Sequence, residues 1–307
     1  MNIAILGAAG FIGKNLSRRF TKDGNQVFSF VREFSEDDSL EGTQQILFDL
    51  SDISSNAAEA LLKCDVVVHL VSSTNPANSV LSPRKDVSNN ILGSLQLLEI
   101  LKRNKSCKLI FASSGGAIYG IPESVPIGEA HKTNPVSPYG VSKLAIEKFL
   151  FSFNAQHNLD YTIFRLSNPF GPEQLNLRGQ GLIPTIIEHG LAGQPLTVWG
   201  DGTTERDYLF IDDAVDAFVK ALAYTGSERV FNIGSGKGTT ILNLVSEIEG
   251  LLNRSVDLNF EKSRPSDPLV NVLDVALAKQ ILGWSPSTPL SEGLQRTVAW
   301  NTQRLGY

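Results

Sequence analysis

The sequence predicts an α/β fold in which a doubly wound parallel sheet is joined to a smaller mixed α/β lobe on the C-terminal side. Over the first two thirds of the chain, short β-rich runs alternate with helical patterns, as repeated strand–helix–strand units require. The strand runs are continuously apolar, for example at 66–71, which is typical of strands covered by helices on both faces. A chain of 307 residues with 42% hydrophobic residues can bury a large core in one or two domains.

The alternation locates the individual elements. Candidate strands lie at 3–6, 26–30, 45–48, 66–71, 108–113 and 160–166. Candidate helices lie around 12–22, 54–62, 86–102 and 138–157. The last helix has a clear start, because Ser137 is a suitable N-cap and Pro138 is a suitable first helical residue.

The pattern loosens after Pro172, where glycine and proline become frequent and the elements become shorter. We therefore predict a first domain at 1–168 and a second lobe composed of 169–206 and 235–307. The segment 207–234 returns to a helix–strand rhythm and is predicted to rejoin the first domain.

Composition excludes several classes of protein. The net charge of -5, with both signs interspersed, does not fit a nucleic-acid-binding or a membrane-binding surface. Cys64, Cys107 and the four histidines show no metal-ligand spacing. No apolar run approaches the roughly 20 residues that cross a bilayer, and the N-terminus shows no basic leader. We expect a cytoplasmic protein without a metal site.

A glycine-rich loop follows the first predicted strand and opens the first predicted helix. Gly7, Gly10 and Gly13 would allow a tight turn and a close approach of the backbone to a pyrophosphate. The helix that follows would offer free N–H groups and a partial positive charge to that anion. The loop therefore predicts a dinucleotide cofactor, NAD or NADP.

The end of the second strand bears on the choice between the two cofactors. Val31 stands where an acidic residue would bind the ribose 2′-hydroxyl, and Arg32 follows it. An arginine there favours the 2′-phosphate of NADP, although a solvated surface arginine explains Arg32 equally well. After the third strand, Asp49 and Leu50 could hold the adenine amino group, and a capping aspartate is an equal alternative.

Tyr139 and Lys143 lie four residues apart, on one face of the predicted helix at 138–157. A phenol ordinarily ionises near pH ~10. A neighbouring ammonium and an oxidised nicotinamide should lower that pKa, so that the tyrosine can exchange a proton with a sugar hydroxyl during hydride transfer. The spacing predicts an acid/base tyrosine, with Lys143 also binding the cofactor ribose.

A third catalytic group should be a hydroxyl that donates to the substrate oxygen. Ser113 and Ser114 end the fifth predicted strand, at the edge where such sheets bind ligands. Ser114 is the preferred candidate and Ser113 the alternative. Hydrogen bonds within a turn would also account for both serines.

Several motifs occur in a fixed order along nearly the whole chain. They are 7–13, Asp49-Leu50, 69–72, 90–93, 113–120, 137–143, 165–172, 200–208, 232–235, 264–267 and 282–284. With these motifs the chain resembles the extended short-chain dehydrogenase/reductases, and among them the UDP-glucose 4-epimerase-like enzymes of the NAD-dependent epimerase/dehydratase group. The resemblance implies a Rossmann dinucleotide-binding domain, a substrate lobe and a homodimer.

The resemblance also implies roles for particular residues. The cofactor would be lined by Phe11, Ile12, Leu70, Ser72 and Asn90. A nucleotide sugar, most simply a UDP-sugar, would be bound by Ser73, Asn168, Arg206, Tyr208, Arg264 and Asp267. In this scheme the two arginines bind the diphosphate, through charge-assisted hydrogen bonds.

Two activities follow from the resemblance. The first is epimerisation at C4 of a nucleotide sugar through a 4-keto intermediate. The second is NADPH-dependent reduction of a 4-keto-6-deoxy nucleotide sugar, which Arg32 favours. A 4,6-dehydratase fits less well, because Gly115 and Gly116 provide no carboxylate beside the serines. A non-catalytic scaffold is disfavoured because both Tyr139 and Lys143 are present.

Overall fold

A computed structural model describes residues 1–36, 40–176, 181–263 and 268–307 of the chain. The strands are β1 (Asn2–Leu6), β2 (Gln26–Val31), β3 (Gln44–Leu47), β4 (Val66–His69), β5 (Lys108–Ser114), β6 (Asp160–Leu166), β7 (Asn168–Phe170), β8 (Leu196–Trp199), β9 (Glu205–Phe210), β10 (Val230–Ile233), β11 (Gly238–Thr240), β12 (Leu258–Glu261) and β13 (Val270–Asn271).

The helices follow the same numbering. They are α1 (Phe11–Lys22), α2 (Ser55–Leu61), α3 (Pro76–Ser79), α4 (Pro83–Asp86), α5 (Gly93–Leu101), α6 (Pro138–His157), α7 (Leu182–Ala192), α8 (Ile211–Leu222), α9 (Ile241–Leu252) and α10 (Leu290–Leu305). The described residues also include two π-helical segments, Val87–Leu92 and Ala278–Leu282. No helix among the described residues has the length and apolar character that a membrane crossing requires.

The predicted doubly wound parallel sheet is confirmed. Seven parallel strands lie in the order β10-β6-β5-β4-β1-β2-β3. The chain builds outward from β1 through β2 to β3, then crosses over to β4 on the other side of β1. The carboxyl ends of β1 and β4 therefore flank the point where the strand order reverses, and such a point is where open α/β sheets bind ligands.

Both faces of this sheet are buried, as the continuous apolar runs predicted. The side chains of β1 alternate between two cores, with Ile3 and Ile5 in one and Ala4 and Leu6 in the other. Helices α1 and α8 cover the first face, and α2, α5 and α6 cover the second. This layering leaves the carboxyl edge of the sheet as the place where polar side chains can gather.

The predicted helix at 86–102 differs from the observed structure. The chain forms the short α4, then the π-helical segment Val87–Leu92, and only then α5. Within the π-helical segment, the Asn90 side chain donates to the Asp86 carboxylate at 3.0 Å and to the Thr74 hydroxyl at 3.0 Å. A wider turn that carries such polar contacts is common near functional sites, and helical periodicity alone does not reveal it.

The second lobe is mixed in strand direction. In its larger sheet, β9 pairs antiparallel with β11 and parallel with β13 and β7. A separate pair is formed by β8 and β12. Strand β10 leaves this lobe and pairs with β6 at the edge of the seven-stranded sheet. The exact division of the chain into two domains stays a prediction.

Candidate active site

The glycine loop brings the start of α1 against the end of β1. Gly7 has a φ of +88°, a value that favours glycine, and its N–H donates to the Phe30 carbonyl at 3.1 Å. A Cβ atom on Gly13 would lie 2.3 Å from the Gly7 carbonyl oxygen. Gly10 is the N-cap of α1 and provides no side-chain hydrogen bond. The first N–H groups of α1 therefore remain without a side-chain cap at the reversal point of the sheet, as an anion site requires.

Arg32 and Asp49 lie near each other where β2 and β3 end, and both are exposed. The Asp49 Oδ1 atom accepts from the Ser51 N–H at 2.8 Å and from the Ser51 hydroxyl at 2.7 Å. These bonds lower the pKa of Asp49, and the positive charge of Arg32 adds to the effect. Asp49 thus caps a local turn, while the Leu50 side chain is buried.

Helix α6, which carries Tyr139 and Lys143, starts as predicted. The Ser137 hydroxyl accepts from the Gly140 N–H at 3.2 Å, with Pro138 in the first turn. One turn later, the buried Lys143 ammonium donates to the Ala112 carbonyl at 2.8 Å. Its Nζ atom lies 5.8 Å from the centroid of the Tyr139 ring.

The predicted lowering of the Tyr139 pKa concerns the complex with an oxidised nicotinamide and stays a prediction; in the protein alone that pKa shifts upward. Burial raises that pKa to about 12, a hydrogen bond with the Ser114 side chain opposes the change, and the Asp86 carboxylate adds to it. Burial lowers the pKa of Lys143 to about 8, against the attraction of Asp86 and Glu147. The sequence argument considered the ammonium and an oxidised nicotinamide, whereas the structure adds desolvation and a buried carboxylate.

The two candidate serines have different partners. The buried Ser113 hydroxyl donates to the Glu147 carboxylate at 2.5 Å. The partly exposed Ser114 forms the hydrogen bond with the Tyr139 side chain. A Cβ atom on Gly116 would meet only the Ser114 Oγ atom, at 4.0 Å, so there is open space beside this hydroxyl. The geometry therefore favours Ser114 over Ser113 as the hydroxyl that faces a substrate.

A narrow cleft brings together several of the predicted residues. It is lined by Val71, Ser72, Asn90, Tyr139, Ser142, Lys143 and Ile146. Beside the cleft, Leu70 follows β4, and its N–H donates to the Leu6 carbonyl at 3.1 Å. The Ser73 N–H and hydroxyl donate to the Asn90 Oδ1 atom at 2.9 and 3.2 Å. Phe11 and Ile12 are partly buried at the start of α1.

The predicted substrate residues of the second lobe lie on or beside β9. Arg206 and Tyr208 occupy alternate positions of this strand and therefore share a face. Arg206 donates to the main-chain carbonyls of Glu205 and Pro268, at 2.9 and 2.8 Å. The Asn168 side chain donates to the Asp207 carbonyl at 2.8 Å. Arg264 and Asp267 lie outside the described residues.

Sequence reasoning missed several buried polar groups around the site. Asp86 is fully buried and accepts hydrogen bonds from Thr74, Asn90 and Ser142. Glu147 pairs with the buried Arg165 through contacts of 3.2 and 2.7 Å. The only sequence signal for these groups was a charged residue placed on a helix, which usually marks a solvated position.

Two other polar side chains occupy apolar surroundings. His69 is buried, with its Nε2 atom 3.0 Å from the Ser94 hydroxyl, as expected for a packed histidine. Burial lowers its pKa to about 3. Asn271 is also buried and donates to the Gly115 carbonyl at 3.3 Å, beside the serines.

Comparison with known proteins agrees with this geometry. The model of the NAD dependent epimerase/dehydratase family matches residues 3–234. The chain is 32% identical over 305 residues to a UDP-glucose 4-epimerase of Mycolicibacterium smegmatis, covering 97% of each chain. It is 31% identical over 310 residues to a dTDP-4-dehydro-6-deoxyglucose reductase of Escherichia coli, covering 96% of each.

Solved structures are similar over the whole length. The UDP-glucose 4-epimerase of Thermotoga maritima with UDP-glucose has a TM-score of 0.92 and 33% identity, with 99% of this chain and 100% of that chain covered. The UDP-glucuronic acid 4-epimerase of Bacillus cereus, in complex with UDP-glucuronic acid and NAD, has a TM-score of 0.90 and 30% identity, with 99% and 100% covered.

Proposed function

Because this chain belongs to the NAD-dependent epimerase/dehydratase family, we propose that it is a nucleotide-sugar C4 epimerase acting by reversible hydride transfer. The observation that supports this most directly is the grouping of Ser114, Tyr139 and Lys143 at the carboxyl edge of the sheet. A UDP-sugar is the proposed substrate, since epimerases of similar structure are bound to UDP-glucose and UDP-glucuronic acid.

The cofactor site fits NAD or NADP. The close packing of Gly13 on Gly7 and the uncapped start of α1 provide the backbone cradle that a pyrophosphate needs. In our proposal, this loop holds the pyrophosphate together with Phe11 and Ile12. The remainder of the dinucleotide is surrounded by Leu70, Ser72, Asn90 and Lys143. The dinucleotide supplies the hydride acceptor and a positively charged ring.

We assign the proton transfer to Tyr139. Its phenol removes the proton of the C4 hydroxyl and later returns it, while Ser114 donates a hydrogen bond to the same oxygen. With a pKa near 12 in the protein alone, the phenol needs a nearby positive charge before it can act as a base. The Lys143 ammonium supplies part of that charge from within 5.8 Å of the ring centroid.

The nucleotide part of the substrate would be held by the second lobe. We assign the diphosphate to Arg206 and Asn168, the nucleoside to Tyr208, and a sugar contact to Ser73. Arg264 and Asp267 complete the proposed set from sequence. This anchoring would keep the substrate bound while the 4-keto sugar turns its other face to the cofactor.

The test is a panel of nucleotide sugars incubated with NAD and with NADPH, followed by product analysis. We expect interconversion of a UDP-sugar and its C4 epimer, with NAD retained by the purified protein and no net use of cofactor. A protein that converts no nucleotide sugar with either cofactor would contradict the proposal.

A second activity, NADPH-dependent reduction of a 4-keto-6-deoxy nucleotide sugar, has one specific observation in its favour. Arg32 is exposed at the end of β2, where it could pair with a 2′-phosphate, and a reductase is among the similar proteins. The same panel separates the two activities, because a reductase consumes NADPH stoichiometrically and retains no NAD.

The proposal extends to the setting of the enzyme. We infer a cytoplasmic homodimer with a dinucleotide-binding domain at 1–168, rejoined by 207–234, and a substrate lobe at 169–206 and 235–307. Exposed apolar side chains on α6, Val141 and Phe151, support an interface with a second copy. Light scattering of the purified protein measures the number of subunits.

A further inference from the structure

Asp86 is a buried carboxylate to which the proposed reaction gives no role. It lies at the end of α4 with no exposed surface, and none of the ion pairs among the described residues includes it. Burial of an unpaired carboxylate costs free energy unless hydrogen bonds replace its water shell. Here the Thr74 hydroxyl and the Asn90 amide donate to Oδ1, and the Ser142 hydroxyl donates to Oδ2.

These three donors come from three segments that surround the cleft. Thr74 lies in the loop after β4, Asn90 lies in the π-helical segment, and Ser142 lies on α6 beside Lys143. A separate bond joins the same region to α6, since the Tyr139 N–H donates to the Ser79 hydroxyl oxygen at 3.1 Å. The carboxylate therefore sits where the loop after β4 is fastened to the helix that carries the acid/base pair.

The carboxylate also determines how the Asn90 amide is turned. An ionised carboxylate only accepts hydrogen bonds, so Asn90 must direct its NH2 group toward Asp86, which it does at 3.0 Å. Its oxygen then faces Ser73 and accepts from that residue's N–H and hydroxyl. Asp86 thus helps to hold Ser73, a proposed substrate contact, in position through Asn90.

The charge acts on the acid/base pair as well. Its attraction raises the pKa of Lys143 against the effect of burial, and Glu147, on α6 itself, adds to this. It also raises the pKa of Tyr139. His69 on β4 faces the same lysine and carries no opposing charge at neutral pH, because its pKa is about 3.

We propose that Asp86 is a positioning residue, which fastens the Ser73 loop and Asn90 to α6 and holds the ammonium of Lys143 by charge attraction. The proposal rests on the proposed function, in that Tyr139 and Lys143 are taken as the acid/base pair. Asp86 itself touches neither substrate nor cofactor.

The test is the Asp86→Asn variant of the holoprotein, which keeps the side-chain shape and removes the charge. Ultraviolet difference titration, corrected with Tyr139→Phe in each background, measures the ionisation of this one phenol. We expect its midpoint to fall by about one pH unit, and the pH profile of kcat/KM to move in the same direction. Because the hydrogen bonds from Thr74, Asn90 and Ser142 lose their charged acceptor and the fastening weakens, we also expect kcat to fall about 10- to 100-fold.

Asp213→Asn is the matched control. Asp213 lies on α8, is buried to 2% exposure and accepts from Ser287 and Thr288. This variant should be less stable, but the midpoint of the Tyr139 titration and the pH profile of kcat/KM should be unchanged. If Asp86→Asn lowered kcat equally at every pH and left the Tyr139 midpoint unchanged, Asp86 would be a structural residue only and the proposal would be overturned.

A second variant keeps the test decisive if Asp86→Asn does not fold. Ser142→Ala retains the charge and removes one tether, so we expect a lower kcat with no fall in the Tyr139 midpoint. A parental kcat in this variant would overturn the tethering role. A parent protein without activity on any nucleotide sugar would refute the proposed function, while the titration would still decide the role of Asp86.

Discussion

Two neighbouring serines at the end of β5 show how one position along a strand changes the chemistry of a hydroxyl. Ser113 reaches the buried Glu147 in the middle of α6, whereas Ser114, the last residue of β5, reaches Tyr139 at the start of the same helix. The first hydroxyl donates a hydrogen bond to a carboxylate inside the protein. The second remains beside open space at Gly116.

This difference predicts opposite outcomes for two alanine variants. Ser114→Ala should lower kcat about 100-fold, because the substrate oxygen loses a donor placed for its developing charge. Ser113→Ala should instead cost about 1.5–3 kcal/mol of stability, since a hydrogen bond to a buried charge is lost, with kcat nearly unchanged. Steady-state kinetics and urea unfolding of both variants measure these effects, and equal loss of kcat in the two would contradict the assignment.

The phenol gives a second prediction at this scale. Tyr139→Phe should lower kcat by about 100- to 10,000-fold, the usual range for a removed acid/base group, while nucleotide-sugar affinity is retained. Tyr161→Phe is the control, because Tyr161 is buried on β6 and burial raises its pKa too. Parental turnover in the Tyr139 variant would end the acid/base assignment.

At the scale of elements, α1 and β1 meet with no side chain between them. The ideal Cβ of Gly13 would contact the Gly7 carbonyl at 2.3 Å and the Ala8 Cα at 2.7 Å, and both are backbone atoms that cannot rotate away. The helix therefore starts as close to the reversal point of the sheet as backbone packing allows, with its first N–H groups directed at that edge.

Gly13→Ala should accordingly displace α1 from the loop. We expect the free energy of unfolding to fall by about 1–3 kcal/mol, as for other overpacked contacts, and NAD to bind more weakly. Gly250→Ala in α9 is the matched control, since its Cβ would meet nothing within 4 Å. It should leave NAD binding unchanged and raise stability by up to about 1 kcal/mol, because alanine favours a helix more than glycine does. Thermal unfolding and NAD titration measure the two effects, and normal NAD affinity in the Gly13 variant would argue against the cradle.

At the scale of the whole molecule, the chain interleaves its two parts. It leaves the central sheet after β6, builds β7 to β9 in the second lobe, and returns through α8 to place β10 beside β6. Buried polar contacts reinforce the return, since the Asn232 side chain on β10 donates to the carbonyls of Ile127 and Asp274. The two parts therefore share one core and should unfold together.

The buried histidine links this global stability to pH. His69 has a pKa of about 3 in the folded protein and about 6.5 in an unfolded chain. Between these values only the unfolded chain binds the proton, so stability present above the unfolded pKa is lost as the pH falls, by ~1.4 kcal/mol per unit. When the pH is lowered from ~7 to ~5, the free energy of unfolding of His69→Gln should thus fall by about 2 kcal/mol less than that of the parent protein. An equal fall of the free energy of unfolding in both proteins, measured by urea unfolding at the two pH values, would contradict this prediction.

The fold was predictable, and the main candidate site residues could be proposed, because their signals are local. The Gly7 loop follows an apolar strand directly, and Ser137 and Pro138 mark the start of α6 within two residues. Asp86 was not predictable, because its meaning comes from Thr74 and Ser142, which only the folded chain brings together. The raised pKa of Tyr139 in the protein alone was not predictable for the same reason, as desolvation depends on packing that no short motif describes.

The late position of β10 has a consequence for biosynthesis. A nascent chain that emerges from the ribosome can complete six strands of the central sheet by Leu166, but the partner of β6 is not available until Val230–Ile233 has been translated. Until then β6 presents an unpaired backbone edge, the kind of surface that recruits neighbouring polypeptides or chaperones. A fragment that stops before this point would carry the same exposed edge permanently, and we expect it to aggregate when expressed.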